Sequence, residues 1–93
     1  GYAREIIRWF QEMRRQLDLR VEDFVDADAC IRDPRICSMI GESWKDGIME
    51  EIRARSLRVH GGECPPDRNH SLSKEWDVEG IRMTLSLSRA EKE

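Results

Sequence analysis

Two histidines and one cysteine in the second half of the chain are of the residue types that bind zinc. They are His60, Cys64 and His70, spaced as His-x3-Cys-x5-His. A structural zinc site usually has four nitrogen or sulfur ligands, so a fourth ligand must come from Cys30 or Cys37. Because of this shortage we expect no cofactor, and we keep zinc bound by His60, Cys64 and His70 as the alternative.

No combination of residues in the sequence predicts catalysis. A cysteine–histidine pair using Cys64 would need a lowered thiol pKa and a histidine within hydrogen-bond reach, and the sequence shows neither. Gly61 and Gly62 precede no predicted helix and therefore offer no phosphate-binding loop. Since no acid, base and nucleophile can be named together, we predict that the chain is not an enzyme.

Five arginines form a second candidate site, because they could line a surface that binds nucleic acid through its phosphates. They are Arg53, Arg55, Arg58, Arg68 and Arg82. The central helical segment, however, also carries acidic residues that repel phosphates, namely Glu42, Asp46, Glu50 and Glu51. The net charge of −3 gives no general attraction to nucleic acid or to an anionic membrane. Nucleic acid is therefore the second choice of partner.

Three tryptophans are the best indication of a protein-binding surface. Tryptophan and arginine are enriched in interface hot spots. Trp44 lies on a predicted apolar helix face and is expected in the core. Trp76 lies in a polar stretch and is the candidate exposed anchor, with a lid over the predicted hairpin as its alternative. The predicted interaction residues are Trp76, Trp9, Arg55 and Arg58.

The composition indicates a single domain, residues 1–93, with a modest core and a densely charged surface. Hydrophobic residues make up 39% of the chain, a smaller share than in an average globular protein. Charged residues make up 38%, which is a larger share than average. No apolar run approaches the length of a transmembrane helix and no signal-peptide pattern is present, so no membrane partner is predicted. The odd number of cysteines favours an intracellular location, in cytoplasm or nucleus.

A central helix over 34–55 is the element expected to organise the fold. Asp33 is a good N-cap, and Pro34 suits the first helical position. Apolar residues recur every four positions and fall on one helix face. They are Ile36, Ile40, Trp44, Ile48 and Ile52. Gly41, together with a capping-box pattern that begins at Ser43, leaves open a break near 41–43.

The remaining elements are predicted from apolar periodicity and from turn residues. A spacing of three or four residues indicates a helix, alternation indicates a strand, and glycine, proline and small polar residues indicate a loop. The predicted elements are helices over 2–17 and 21–31, strands over 56–60 and 78–88, a long loop over 61–76 and a frayed tail over 89–93.

These elements predict an α+β fold with a three-helix layer, followed by a C-terminal two-stranded antiparallel β-ribbon with a long loop. The element order is that of a winged helix. The predicted function is that of a small regulatory or adaptor protein that binds another protein, either as a monomer or as a homodimer. The alternatives are a winged-helix-like nucleic-acid-binding regulator that uses the five arginines, and a small zinc-binding module.

Overall fold

The computed structural model describes residues 1–62 and 70–90. In chain order the elements are α1 (Tyr2–Gln16), β1 (Val25–Ile31), α2 (Pro34–Met39), a π-helical turn (Ile40–Trp44), α3 (Lys45–Ile52), β2 (Ala54–Gly61), β3 (Leu72–Val78) and β4 (Ile81–Arg89). Residues 91–93 of the predicted tail lie outside the description. None of the described helices has the length and apolar content that a bilayer crossing requires.

The strands form one mixed sheet in the order β2-β1-β4-β3. β1 and β2 are parallel and are joined by α2, the π-helical turn and α3, which form one continuous helix. β4 is antiparallel to both β1 and β3. The prediction of a three-helix layer with a two-stranded ribbon in winged-helix order is therefore wrong: two helices pack on a four-stranded sheet.

The second predicted helix, over 21–31, is wrong because this segment contains β1. Val25, Ala27, Ala29 and Ile31 are all buried and alternate with more polar residues, which is the period-two pattern of a strand with one covered face. Two of these inward residues are alanines, which have low strand propensity. Because alanine is small and only weakly apolar, the alternating pattern of this strand is weak in the sequence.

The loop predicted over 61–76 is also wrong in part, because β3 begins at Leu72; residues 63–69 lie outside the described residues. β3 is an edge strand with exposed charged residues, a composition that discourages pairing with other chains. It joins β4 through a two-residue hairpin at Glu79 and Gly80, both of which have positive φ. This is the backbone geometry of a type I′ turn, whose twist matches that of the strands.

The core lies between one face of the sheet and the two helices. α1 contributes three fully buried side chains, those of Ile6, Phe10 and Met13. They join buried residues of the second helix and of the inward face of β1 and β4: Ile40, Ile48, Ile52, Ala27, Ala29, Ile31, Met83, Leu85 and Leu87. Because both helices cover the same face, the opposite face of the sheet is left to polar side chains.

The second helix begins as predicted but is not a regular α-helix throughout. The Asp33 carboxylate accepts hydrogen bonds from the backbone N–H groups of Arg35 and Ile36, which confirms the predicted N-cap. At the π-helical turn the helix accommodates an extra residue, so the apolar face resumes at Ile48 after Ile40. Trp44 is 50% exposed, and the prediction that it belongs to the core is wrong.

Candidate functional site

The polar face of the sheet carries a connected group of charged and hydroxyl side chains, here called the Asp28 cluster. Its members are Asp26 and Asp28 of β1, Arg55, Ser56, Arg58 and His60 of β2, Ser88 of β4, and His70, which precedes β3. Most of them line a pocket of about 420 Å³. Strand pairing assembles the cluster, since Asp28 lies opposite Arg58 on β2, and Asp26 lies opposite Ser56 on β2 and Ser88 on β4.

Asp28 is the centre of this cluster. Its carboxylate accepts a hydrogen bond from Arg58 Nε at 2.9 Å and lies 3.2 Å from His60 Nε2, and His70 Nε2 contacts its second oxygen. Burial acts to raise the pKa of Asp28, but hydrogen bonds from Arg58, His70 and His60 outweigh it and hold the pKa below its usual value. Asp28 therefore stays ionised and joins β1, β2 and the segment before β3.

Asp26 holds a second arginine in the same way. Arg55 Nη2 donates to its carboxylate at 2.7 Å and Ser56 Oγ donates at 2.8 Å. The hydrogen bond from Arg55 is the main reason that the pKa of Asp26 is lowered. The charges of Arg55 and Arg58, both predicted interaction residues, are thus each balanced by a carboxylate on the neighbouring strand.

The two aspartates were not predicted as site residues, although a signal for them exists in the sequence. Asp26 and Asp28 alternate with alanines, so a strand at this position directs both carboxylates to one face. That signal becomes visible only once the segment is recognised as a strand. The predicted helix over 21–31 would instead place residues two positions apart on different sides.

A hydrogen-bonded chain runs from Asp28 through His70 to Ser88. His70 Nε2 contacts the Asp28 carboxylate, and His70 Nδ1 lies 3.0 Å from Ser88 Oγ. This order of groups is that of a nucleophilic triad, which also requires an accessible hydroxyl and oxyanion-stabilising donors. The His70 side chain is only 7% exposed, and Asp28 is already bound by Arg58 and His60. These contacts favour a structural network over a catalytic one.

The structure brings His60 and His70, two of the predicted zinc ligands, to the same carboxylate. Cys64 lies outside the described residues. Of the cysteines offered as a fourth ligand, Cys30 is disulfide-bonded and Cys37 is a free thiol. Within residues 1–62 and 70–90, no group of three or more histidine, cysteine or acidic side chains could hold a metal ion. Zinc bound with Cys64 stays a prediction.

The other predicted interaction residues, Trp9 and Trp76, lie on the opposite, helix-covered side of the sheet. Their rings are stacked, with centroids 4.1 Å apart and planes 12° from parallel. Arg8 lies over Trp9 and Lys74 lies over Trp76, as in cation–π pairs. Trp76 is half-buried against the core, which is the position of a lid rather than of an exposed anchor.

Replacing Asp28 by asparagine is expected to destabilise the protein most at neutral pH. A carboxylate whose pKa is lowered by folding stabilises the native state above its unfolded pKa, here about 3.8, and this contribution is lost as the pH falls through the still lower folded pKa. The difference in unfolding free energy between wild type and Asp28→Asn should therefore shrink as the pH falls from about 7 to about 3. Urea unfolding across this range measures it.

Asp46→Asn is the matched control for this experiment, because Asp46 is exposed and makes none of these contacts. Its effect on stability should be small and should depend little on pH. A difference between wild type and Asp28→Asn that stays constant down to about pH 3 would contradict the assigned role of the Asp28 carboxylate.

Comparison with known proteins relates the chain to enzymes that are much longer. No model of a known protein family matches it. It is 56% identical over 89 residues to an isoleucine–tRNA ligase of Methanoregula boonei. It is 50% identical over 93 residues to an isoleucine–tRNA ligase of Methanoculleus marisnigri, and 44% identical over 92 residues to one of Methanospirillum hungatei. The matches cover 96 to 97% of the chain but only 8 to 9% of each relative.

These relatives overturn the predicted function. The predictions of a regulatory or adaptor protein, and of a winged-helix-like regulator or zinc module in its place, are wrong, because proteins similar over nearly the whole chain are named as ligases. The prediction that the chain is not an enzyme is wrong for the same reason, although the chain spans less than a tenth of the length of the curated relatives it matches.

Proposed function

We propose that this chain is an accessory domain of an isoleucine–tRNA ligase and that it contributes to binding tRNA. The observation that supports the proposal is the 56% identity to such a ligase over 96% of the chain. By their name these enzymes join isoleucine to tRNA, so tRNA is the nucleic-acid partner that the proposal specifies. On this proposal the chain works in the cytoplasm as part of, or together with, the remainder of the enzyme.

The geometry favours tRNA binding over a catalytic role for this segment. On the polar face of the sheet, the hydroxyl–imidazole–carboxylate chain of Ser88, His70 and Asp28 is closed off by burial and by ion pairs. Phosphate binding, in contrast, requires only positioned cations and backbone donors. A domain with a net charge of −3 must provide those cations locally, because its overall field does not attract RNA.

We expect the 93-residue chain to bind a transcript of an isoleucine-specific tRNA with a dissociation constant of about 10⁻⁴ to 10⁻⁶ M, the range of electrostatic binding near physiological salt. Fluorescence anisotropy with labelled tRNA measures this. The affinity should fall as the salt concentration rises, because phosphate contacts release counterions. A tRNA specific for another amino acid shows how much of the affinity depends on sequence or shape. If the chain does not bind tRNA even at low salt, the proposed function is wrong.

A further inference from the structure

A cleft separate from the Asp28 cluster lies where the end of α1, the loop after it and the junction between α3 and β2 meet. Its volume is about 360 Å³. Three arginines line it, Arg14, Arg15 and Arg53, together with the apolar side chains of Leu19 and Val21. Val21 is 75% exposed, so this apolar wall is open to a ligand.

Arg14 brings a buried positive charge to the cleft. The residue is 6% exposed, and its guanidinium donates to three backbone carbonyls, those of Asp23, Ile52 and Arg20. Neutral carbonyls satisfy the N–H groups but do not cancel the charge. Burial lowers the pKa of Arg14, the nearby Asp23 carboxylate opposes this, and repulsion from Arg53 adds to it. An anion in the cleft would stabilise the charged guanidinium of Arg14 and so offset both its desolvation and its repulsion from Arg53.

Arg53 is the arginine best placed to bind such an anion. Among the described residues, no carboxylate lies within ion-pair distance of it, although Arg55, Arg58 and Arg82 are each paired with an aspartate or glutamate. Its φ of 54° is in the left-handed region, the conformation in which many helices end. This conformation ends α3 and turns the chain into β2, with the exposed Arg53 side chain at the cleft.

The carboxylates around the cleft do not cancel these three cations. Glu12 pairs with Arg15 at the outer edge. Glu51 also lines the cleft, and Gln11 is held there by donating to the Glu51 carbonyl at 2.7 Å. The Asp23 carboxylate also lies near Arg14, and it pairs with Arg89 at 3.6 Å. With that pair included, three carboxylates face four arginines, which leaves a local positive excess of one charge in a chain whose net charge is −3.

We infer that this cleft binds a phosphodiester group of RNA, with Arg53 as the direct ligand and Arg14 as the buried charge behind it. A guanidinium binds phosphate through paired N–H donors, and the open apolar wall at Val21 suits the adjoining ribose or base. The inference rests on the proposed function, since tRNA supplies the phosphodiester. The cleft is distinct from the polar face of the sheet, where Arg55 and Arg58 are already paired with aspartates.

The test compares Arg53→Gln with Arg4→Gln in tRNA binding measured by anisotropy at several salt concentrations. Arg4 is an exposed arginine of α1 that lies outside the cleft and makes no ion pair among the described residues, so it controls for the loss of one charge. Arg53→Gln should weaken binding several-fold and lower the slope of log affinity against log salt by about 1. Arg4→Gln should change neither, and Arg53→Lys should retain most of the slope.

Equal binding by wild type, Arg53→Gln and Arg4→Gln would overturn the inference and leave the proposed function intact. Failure of the wild type to bind tRNA would overturn the proposed function instead. In that case inorganic phosphate is the probe: saturable NMR shifts at the Arg53 Nε–H group would support the anion site, and unchanged shifts would overturn it.

Discussion

Replacing Arg14 by alanine is expected to lower the free energy of unfolding by about 3 kcal/mol or more. The Arg14 guanidinium connects three separate parts of the chain, because it donates to the carbonyls of Arg20, Asp23 and Ile52 at 2.7 to 3.0 Å. A hydrogen bond from a charged donor contributes about 1.5 to 3 kcal/mol, and a buried acceptor left unpaired adds its own cost. Alanine removes all three donors and leaves a cavity.

The neighbouring Arg15→Ala substitution is the control for this prediction. Arg15 is exposed, and among the described residues its one ion-pair partner is Glu12, one turn earlier on the same helix, an interaction that typically contributes a few tenths of a kcal/mol. Urea unfolding of both variants, followed by far-UV circular dichroism, gives the comparison. If Arg14→Ala is no less stable than Arg15→Ala, the three carbonyl contacts do not stabilise the fold. Arg14→Lys should lie between wild type and alanine, because one ammonium cannot reach all three acceptors.

The second large effect is expected for Trp76→Ala, which should lower the free energy of unfolding by about 2 to 3 kcal/mol. Truncating a fully buried tryptophan costs about 3 to 5 kcal/mol, and Trp76 is half-buried, stacked on Trp9 and packed against the core. Aromatic stacking adds about 0.5 to 1.5 kcal/mol beyond the buried area. The sequence leaves two positions open for Trp76, an exposed anchor and a lid, and only an exposed anchor could be removed without harm to the fold.

Trp44→Ala is the matched control, because Trp44 is the same residue type and is 50% exposed on the π-helical turn. Its removal should change stability by well under half of the Trp76 effect. Equal destabilisation by the two variants, measured by thermal or urea unfolding, would contradict the positions of both side chains. Trp76→Phe should be milder than Trp76→Ala, since it keeps a stacked ring and removes an indole N–H that is buried and has no hydrogen-bond partner within residues 1–62 and 70–90.

The sequence was most informative where strong apolar periodicity and capping residues coincide. The helix predicted over 2–17 corresponds to α1, and the segment predicted as the central helix, 34–55, contains α2, the π-helical turn and α3. Asp33 and Pro34 begin that helix as local chemistry requires. Such patterns depend on contacts within one or two turns, so they can be interpreted without knowledge of the rest of the fold.

Local sequence patterns predict the wrong element where the partner of a segment decides its structure. β1 has alanines at two inward positions and aspartates at two outward positions, a weak strand signal that becomes favourable because β2 and β4 pair with it on both sides. β3 includes Lys74 on its helix-facing side, where the ammonium group lies over the Trp76 ring. The sequence of β1 or of β3 alone does not indicate these tertiary contacts.

The candidate sites follow the same division. His60 and His70 could be named from residue type, but their common contact with Asp28 depends on the register of β1 with β2 and on the position of the segment before β3. Arg53, Arg55 and Arg58 look alike in the sequence. Only the fold places carboxylates beside Arg55 and Arg58 and leaves Arg53 beside the buried Arg14 at an open cleft.

The sequence by itself determined the two helices, the N-cap of the second, and the alternating strand that becomes β4, because these depend on periodicity and on local hydrogen bonds. Only the tertiary structure decided the four-stranded order, the burial of Arg14, the stacking of Trp9 on Trp76 and the exposure of Trp44. Each of these depends on contacts between segments that are distant in sequence. The residues around a given position do not indicate which distant segment it will contact.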